Sequence, residues 1–501
     1  MNMLNQELYG QYVARMRKIA DVNYALAVLQ WDEETYLPPA GATLRGQQMA
    51  TLSEISHDLF VDKELGSLLL ELNGRADLDS AQKKNVELTL EDYEKKKKYS
   101  SAFVRQLSEA ASRAYHAWID ARKQNSFSVF EKPLEELVQL KRKEAQILGF
   151  TQHPYNALLN EFEKGATVSW LDGLFEDIRK PLKALLDKIS GMNQVNDQFL
   201  HQNFNKDAQW KFGLEILRAI GFNFEAGRQD ISEHPFTTSF NAKDVRVTTR
   251  IGENDFSSMT WSCIHEGGHA LYEQGLPIEE YGLPSGEACS LGIHESQSRL
   301  WENSIGRSLS FLEFMLPILK KYFPQLESAQ AETLFSAINK VQPSLIRTEA
   351  DELTYHFHVM IRYELEKKLI EGSLPVKDIP AYWNQAYREY LGLQVPDDKQ
   401  GCLQDIHWSH GSFGYFPTYS LGSFYASQFF AAIEKENPGL QNEIRMGNFA
   451  AVSLWLKTNV YRYGRLFTSA ELCNKSTLEP LNLKYFLNYL EGKFNRVYVM
   501  N

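Results

Sequence analysis

The feature that most constrains this chain is helical periodicity that runs through nearly all of it and fails in one short stretch. From Pro133 to Gly149 the apolar residues Leu134, Leu137, Val138, Ala145 and Leu148 fall on one side of a helix. Pro133 suits its first turn and Gly149 its C-terminal cap. Residues Ala81 to Gln124 read as one or two long helices, with the run Lys95 to Lys98 as a solvated helix face. The exception is 244–251, where Val245, Val247, Thr249 and Ile251 alternate with Asp244, Arg246, Thr248 and Arg250. That period of two marks a strand with one polar face. Loops are expected between Gly275 and Gly292 and over the aromatic, Gly-rich stretch Gly401 to Ser427. No repeat, low-complexity tract or Pro/Ser linker divides the 501 residues. The expected architecture is mainly α, a single domain over 1–501 whose large helical body forms two lobes around a cleft, with a small β-sheet.

Composition narrows the partners. Lys and Arg number 53 against 64 Asp and Glu, a net charge of −11, which disfavours binding to nucleic acid or to an anionic membrane. Hydrophobic residues make up 43% of the chain, enough apolar surface for a soluble globular protein. Cys263, Cys289, Cys402 and Cys473 form no CxxC pair and read as reduced, buried thiols. Near the N-terminus Leu8, Tyr12, Val13, Met16 and Ile19 lie at helical spacing with charges between them, unlike a secretory leader. No stretch approaches the roughly 18 apolar residues of a membrane span. A cytoplasmic address is expected, with no membrane or nucleic-acid partner.

The chemistry concentrates at His265-Glu266-Gly267-Gly268-His269, an H-E-x-x-H sequence. Residues four apart on a helix differ by about 40° around its axis, so both imidazoles project from one side and reach one metal ion. Glu266 then faces an activated water as general base. Two glycines inside a helix cost roughly 1 kcal/mol each relative to alanine, which implies that something approaches this helix closely. Catalytic zinc takes three protein ligands, so a third comes from elsewhere. Glu295, in Gly292-Ile293-His294-Glu295-Ser296-Gln297-Ser298-Arg299, lies on the same helical face as Arg299 and is one candidate. Glu287, Glu302 and His294 compete with it on spacing alone.

These residues resemble the HExxH-type zinc metallocarboxypeptidases that include the thermostable Taq-type enzymes. The resemblance covers essentially the whole chain. Besides the H-E-x-x-H sequence it rests on Asp244-Val245-Arg246-Val247-Thr248 for D-x-R-x-T and on His294-Glu295-Ser296-Gln297. It rests further on Ile346-Arg347-Thr348-Glu349-Ala350-Asp351 for I-R-x-x-A-D, on Gly401 to Trp408 for G-x-x-Q-D-x-H-W, and on Trp31-Asp32 with Thr35 to Pro39. It implies His265, His269 and Glu295 as metal ligands, Glu266 as base and acid, a helical fold with a deep substrate groove, and a homodimer. Tyr461 departs from the pattern, standing where a histidine is expected.

The expected reaction is release of C-terminal amino acids from peptides. Zinc, or cobalt or manganese in its place, held by two imidazoles and a carboxylate lowers the pKa of water to about 7. Glu266 takes the proton and passes it to the departing amine. The oxyanion needs a further donor, and His407, His410, Tyr415 and Tyr419 are within one stretch, with Tyr419 and His407 favoured. A free C-terminal carboxylate calls for a fixed guanidinium, for which Arg347 and Arg246 are the candidates. The alternative for Arg347 is a structural salt bridge with Glu349 or Asp351. The strand carrying Arg246 is also expected to pair with an extended peptide, as edge strands do. The competing readings are an oligoendopeptidase with the same zinc centre and an inactive helical scaffold that only binds peptides.

Overall fold

A computed structural model describes residues 2–498; Met1 and residues 499–501 of the expected 1–501 domain lie outside them. The chain divides into two compact units, each built from separated segments. The first comprises the residues up to Lys97, Asn196–Ile338 and Tyr425–Leu481; the second comprises Lys98–Val195, Asn339–Phe424 and the chain from Asn482 onward.

Helices dominate both units, as their periodicity requires. In the first, the long helix Asn2–Thr35 packs Tyr12, Met16 and Ile19 against Leu65, Leu69, Leu72 and Val86. The expected helical stretch from Ala81 is two helices, Ser80–Lys96 and Ser101–Gln124. They separate because Ser100 adopts extended backbone and caps the second, accepting from the Phe103 N–H at 3.2 Å. In the second unit the helix expected from Pro133 begins earlier and spans Ser128–Leu148. Pro133 therefore sits inside it, where the added turns bury Phe130. Gly149 ends that helix at φ +83°, a conformation that disfavours residues with a Cβ. The stretch expected as loop to Ser427 becomes helical from Pro417.

The small sheet belongs to the first unit. Its strands are β1 (Gly227–Ile231), β2 (Thr237–Asn241) and β3 (Asp244–Thr249), in the order β1-β3-β2. The alternation read from sequence holds over the first four residues, with Val245 and Val247 buried and Asp244 and Arg246 on the other face. Thr248 is buried as well as Thr249, taking the Phe236 N–H on its hydroxyl, and the strand ends there, short of Arg250 and Ile251. The expected peptide-pairing edge does not. β3 is the central strand, parallel to β1 and antiparallel to β2, so its backbone groups are already paired on both sides. All four cysteines are buried and unbonded to one another. Among the described residues no helix is long and apolar enough to cross a membrane.

Candidate active site

The H-E-x-x-H sequence lies on the helix Phe256–Gly275, which Asp255 starts by accepting from the Ser257 and Ser258 N–H groups. The double glycine has a direct explanation. A Cβ on Gly268 would stand 2.7 Å from the Gln297 carbonyl oxygen and 2.8 Å from Ser298 Cα; one on Gly267 would meet Leu217 and Ile220 at 2.8 Å. Gly268 thus admits the backbone of the helix Leu291–Arg299, capped by Ser290, and that helix delivers Glu295.

The ligand atoms of His265, His269 and Glu295 lie within 4.8 Å of one another. Glu295 Oε2 is 3.7 Å from His265 Nε2 and 3.5 Å from His269 Nε2. Two imidazoles and a carboxylate converging on one point are the donor set of a divalent cation with an open coordination position. The remaining nitrogens are committed elsewhere. His265 Nδ1 meets Glu302 at 2.8 Å, His269 Nδ1 meets His294 Nδ1 at 2.6 Å, and His294 Nε2 meets Glu273 at 2.8 Å. His294 and Glu302, both candidate third ligands on spacing, therefore contact the far nitrogens of His269 and His265 instead of joining the converging set. Glu287 is bound instead to Arg465 at 2.9 Å.

Glu302 sits where the helix widens into a π-helical turn, Leu300–Gly306. Arg299 donates to Glu295 at 2.6 Å and to Glu302 at 3.3 Å, and Arg307 donates to Glu302 at 3.1 Å. Burial raises both carboxyls, but Arg299 and His265 outweigh it and hold them well below the usual range. Burial likewise opposes protonation of His265, yet Glu295 and Glu302 push its pKa up. His269 is lowered to about 3 by burial and by His294, leaving a neutral imidazole. Glu273 is lowered against the effect of burial, chiefly by the hydrogen bond from His294.

Glu266 is buried, and that burial raises its carboxyl above the ordinary glutamate range. Thr237 on β2 donates to its Oε2 at 2.6 Å. No local pattern reveals Thr237, which lies 29 residues away in sequence. Glu302 and Glu273 had a signal: they follow Glu295 and His269 by seven and four residues, spacings that share a helical face.

On β3 the i, i+2 positions of Asp244 and Arg246 put both on one face, where Arg246 Nε and Nη2 each reach Asp244 at 2.9 Å. The guanidinium also lies 4.3 Å from the Trp31 ring centroid. Tyr461, the departure from the family pattern, is a core residue 5.0 Å from the Tyr272 ring, beside Gly275.

The second unit gathers the other candidates. Arg347 is buried and pairs with neither Glu349 nor Asp351; its Nε and Nη2 both lie 2.9 Å from Asp405 Oδ1. Its Nη1 donates to the Tyr355 hydroxyl at 2.9 Å, and its plane lies 4.8 Å from the Tyr419 ring. Arg362, fully buried, donates to the other Asp405 oxygen at 2.6 Å. The sequence reading missed this second guanidinium, although Asp405 stands inside the quoted G-x-x-Q-D-x-H-W motif. His407 Nε2 meets the Tyr419 hydroxyl at 3.0 Å, and its buried Nδ1 has no hydrogen-bond partner among the described residues. Burial and Arg347 lower the His407 pKa to about 3. The Tyr415 ring is 5.2 Å from both His407 and Tyr419, whereas His410 packs on Tyr115.

Comparison with known proteins agrees with this geometry. The family described as carboxypeptidase Taq (M32) metallopeptidase matches residues 11–494. The chain is 38% identical to thermostable carboxypeptidase 1 of Thermus thermophilus, over 99% of this chain and 100% of that one. It is 35% identical to thermostable carboxypeptidase 1 of Pyrococcus furiosus, over 98% and 99%. The crystal structure of the M32 carboxypeptidase of Deinococcus radiodurans R1 matches with a TM-score of 0.96 at 37% identity, over 99% of this chain and 100% of that one. The chain belongs to the M32 metallopeptidase family. It is a metallocarboxypeptidase, a peptide hydrolase, in preference to an oligoendopeptidase or an inactive scaffold. Membership implies a divalent metal and peptide substrates.

Proposed function

We propose that His265, His269 and Glu295 hold one divalent ion, zinc ahead of cobalt or manganese, and that Glu266 acts first as base and then as acid. The observation that carries this reading is the convergence of three ligand atoms within 4.8 Å beside a buried glutamate. Such an ion supplies Lewis acidity and an activated water at neutral pH. Glu266, fixed by Thr237 and raised by burial, is suited to accept a proton from the attacking water and to return it to the leaving amine.

His407 and Tyr419 are the proposed oxyanion-stabilising pair: the neutral imidazole holds the Tyr419 hydroxyl through Nε2 at 3.0 Å, so one of the two donates to the developing oxyanion while the other orients it. Arg347 is the proposed anchor for the free C-terminal carboxylate, and Tyr415 lines the substrate beside it. Arg246 binds the substrate through Nη1, which its bidentate contact with Asp244 leaves available. The whole chain acts as one metallocarboxypeptidase domain.

A ladder assay by mass spectrometry, run beside metal analysis, tests this reading. Residues should leave one at a time from free C-termini, chelation should stop the reaction, and zinc should restore it. Hydrolysis that continues unchanged after complete removal of metal would overturn the assignment. We also place the protein in the cytoplasm, since its four buried cysteines, which form no disulfide with one another, suit a reducing compartment. The homodimer rests on the family resemblance; light scattering that gives a monomer mass would refute it.

A further inference from the structure

His294 and Glu273 lie behind His269, and with both imidazoles neutral their contacts favour one arrangement of protons, the one that frees His269 Nε2 for a metal. His269 Nδ1 and His294 Nδ1 face each other at 2.6 Å, so one nitrogen carries a hydrogen and the other accepts it. At the far side of His294, Nε2 meets a carboxylate oxygen of Glu273 at 2.8 Å. An ionised carboxylate only accepts, so the His294 proton belongs on Nε2. His294 Nδ1 is then an acceptor, and the proton between the two rings belongs to His269. This leaves His269 Nε2 as a bare lone pair, and that nitrogen lies 3.5 Å from the metal-facing oxygen of Glu295. The opposite arrangement would protonate His269 Nε2 and turn an unprotonated His294 nitrogen onto the carboxylate, losing the metal ligand and the hydrogen bond together.

Two helices hold the participants in place. Glu273 follows His269 by four residues on the helix Phe256–Gly275, so both share its face. His294 lies in the first turn of the helix Leu291–Arg299, whose approach Gly268 permits. The His269 and His294 rings pack 4.5 Å apart, and Tyr272 covers His294 at 5.5 Å. His265 is treated differently, giving its Nδ1 directly to the Glu302 carboxylate.

We propose that His294 and Glu273 form a positioning dyad that fixes His269 as the Nδ1-protonated tautomer and thereby sets how tightly the metal is retained. The proposal rests on His265, His269 and Glu295 being the ligands. Both His294 nitrogens are engaged in these contacts, and the ligand atoms that converge are those of His265, His269 and Glu295, so His294 and Glu273 are positioning residues and not ligands. Partners of this kind typically change metal affinity by about 10–100-fold when removed.

The test measures zinc affinity of the full-length protein by competition with a chromogenic chelator, with no substrate present. Glu273→Gln keeps the shape but accepts less strongly, and His294→Leu removes the acceptor; each should weaken zinc binding by about 10–100-fold. His294→Asn restores an acceptor near the Nδ1 position and should recover part of the loss. Nitrogen-15 imidazole spectra of the zinc-free protein should place the His269 proton on Nδ1 in the wild type, with that preference lost in His294→Leu. Affinity within twofold of wild type for both Glu273→Gln and His294→Leu would overturn the dyad, as would a wild-type His269 proton on Nε2. His269→Ala and Glu295→Ala separate the two layers: if they bind one zinc with unchanged affinity, the ligand assignment fails and the dyad with it. If they lose zinc while the dyad variants keep it, only the dyad fails.

Discussion

Two clusters of buried charge in this molecule carry opposite imbalances. In the first unit, the carboxylates of Glu266, Glu273, Glu295 and Glu302 outnumber the guanidiniums of Arg299 and Arg307 by two before the imidazoles are counted. In the second, Arg347 and Arg362 share Asp405, leaving one positive charge. Buried charge is costly unless something answers it. On the proposed reading, the excess of negative charge in the first suits a divalent cation and the positive excess in the second suits the carboxylate of a peptide substrate. The histidines respond accordingly. Neighbouring carboxylates raise His265, whereas burial and Arg347 lower His407.

The largest effect expected from this contrast is on acid stability. His407 is neutral in the folded protein down to about pH 3, but ionises near 6.5 when unfolded. Between those values the unfolded chain binds the extra proton, so stability rises with pH and is lost as pH falls from 6.5 towards 3. The contribution is roughly 4–5 kcal/mol at the acid end. Urea melts of wild type and His407→Gln across this range should converge at neutral pH, with the variant less acid-sensitive. Parallel curves would mean that His407 is not a buried neutral group.

Asp405→Asn comes next, because it strands two guanidiniums instead of one. A loss of about 3–5 kcal/mol is expected in denaturant melts. A change below about 1 kcal/mol would show that solvent, not Asp405, balances the cluster. In the first unit, Glu266→Gln should retain the metal and lower kcat at least about a hundredfold, equivalent to about 2.7 kcal/mol. Full activity in a variant that keeps its metal would remove Glu266 from the base role.

How far each cluster was legible in the sequence follows from the distances involved. His265 and His269 are one helical turn apart, and the double glycine already implied a close neighbour. The structure identifies that neighbour as the backbone at Gln297 and Ser298. Glu295 could not be separated from Glu287, Glu302 and His294 by spacing, because the choice depends on how two helices cross. Family resemblance resolved the choice in favour of Glu295, the residue that the structure brings to both imidazoles. The Arg347 cluster was less legible still. Its partner Asp405 is 58 residues away, so a reading based on neighbours looked to Glu349 and Asp351. Likewise, alternation revealed the faces of β3 but not its place in the sheet, which depends on where β1 and β2 pair.

The smallest effect is also the most selective. Arg347→Ala removes one of two guanidiniums that share Asp405, leaving Arg362 to neutralise it, so the second unit loses its positive excess without gaining a stranded charge. Folding should therefore suffer less than in Asp405→Asn. A hydrogen bond to a charged group contributes about 1.5–3 kcal/mol, which predicts a fall of about 10- to 150-fold in kcat/KM for peptides with a free C-terminus. Amidated peptides present no carboxylate and should already be poor substrates for the wild type, with little further loss in the variant. Measuring both peptides on both proteins isolates the charge-to-charge contribution from any general disturbance of the cluster. Equal losses on free and amidated peptides would make Arg347 a structural partner of Asp405, and the positive excess would then need another explanation.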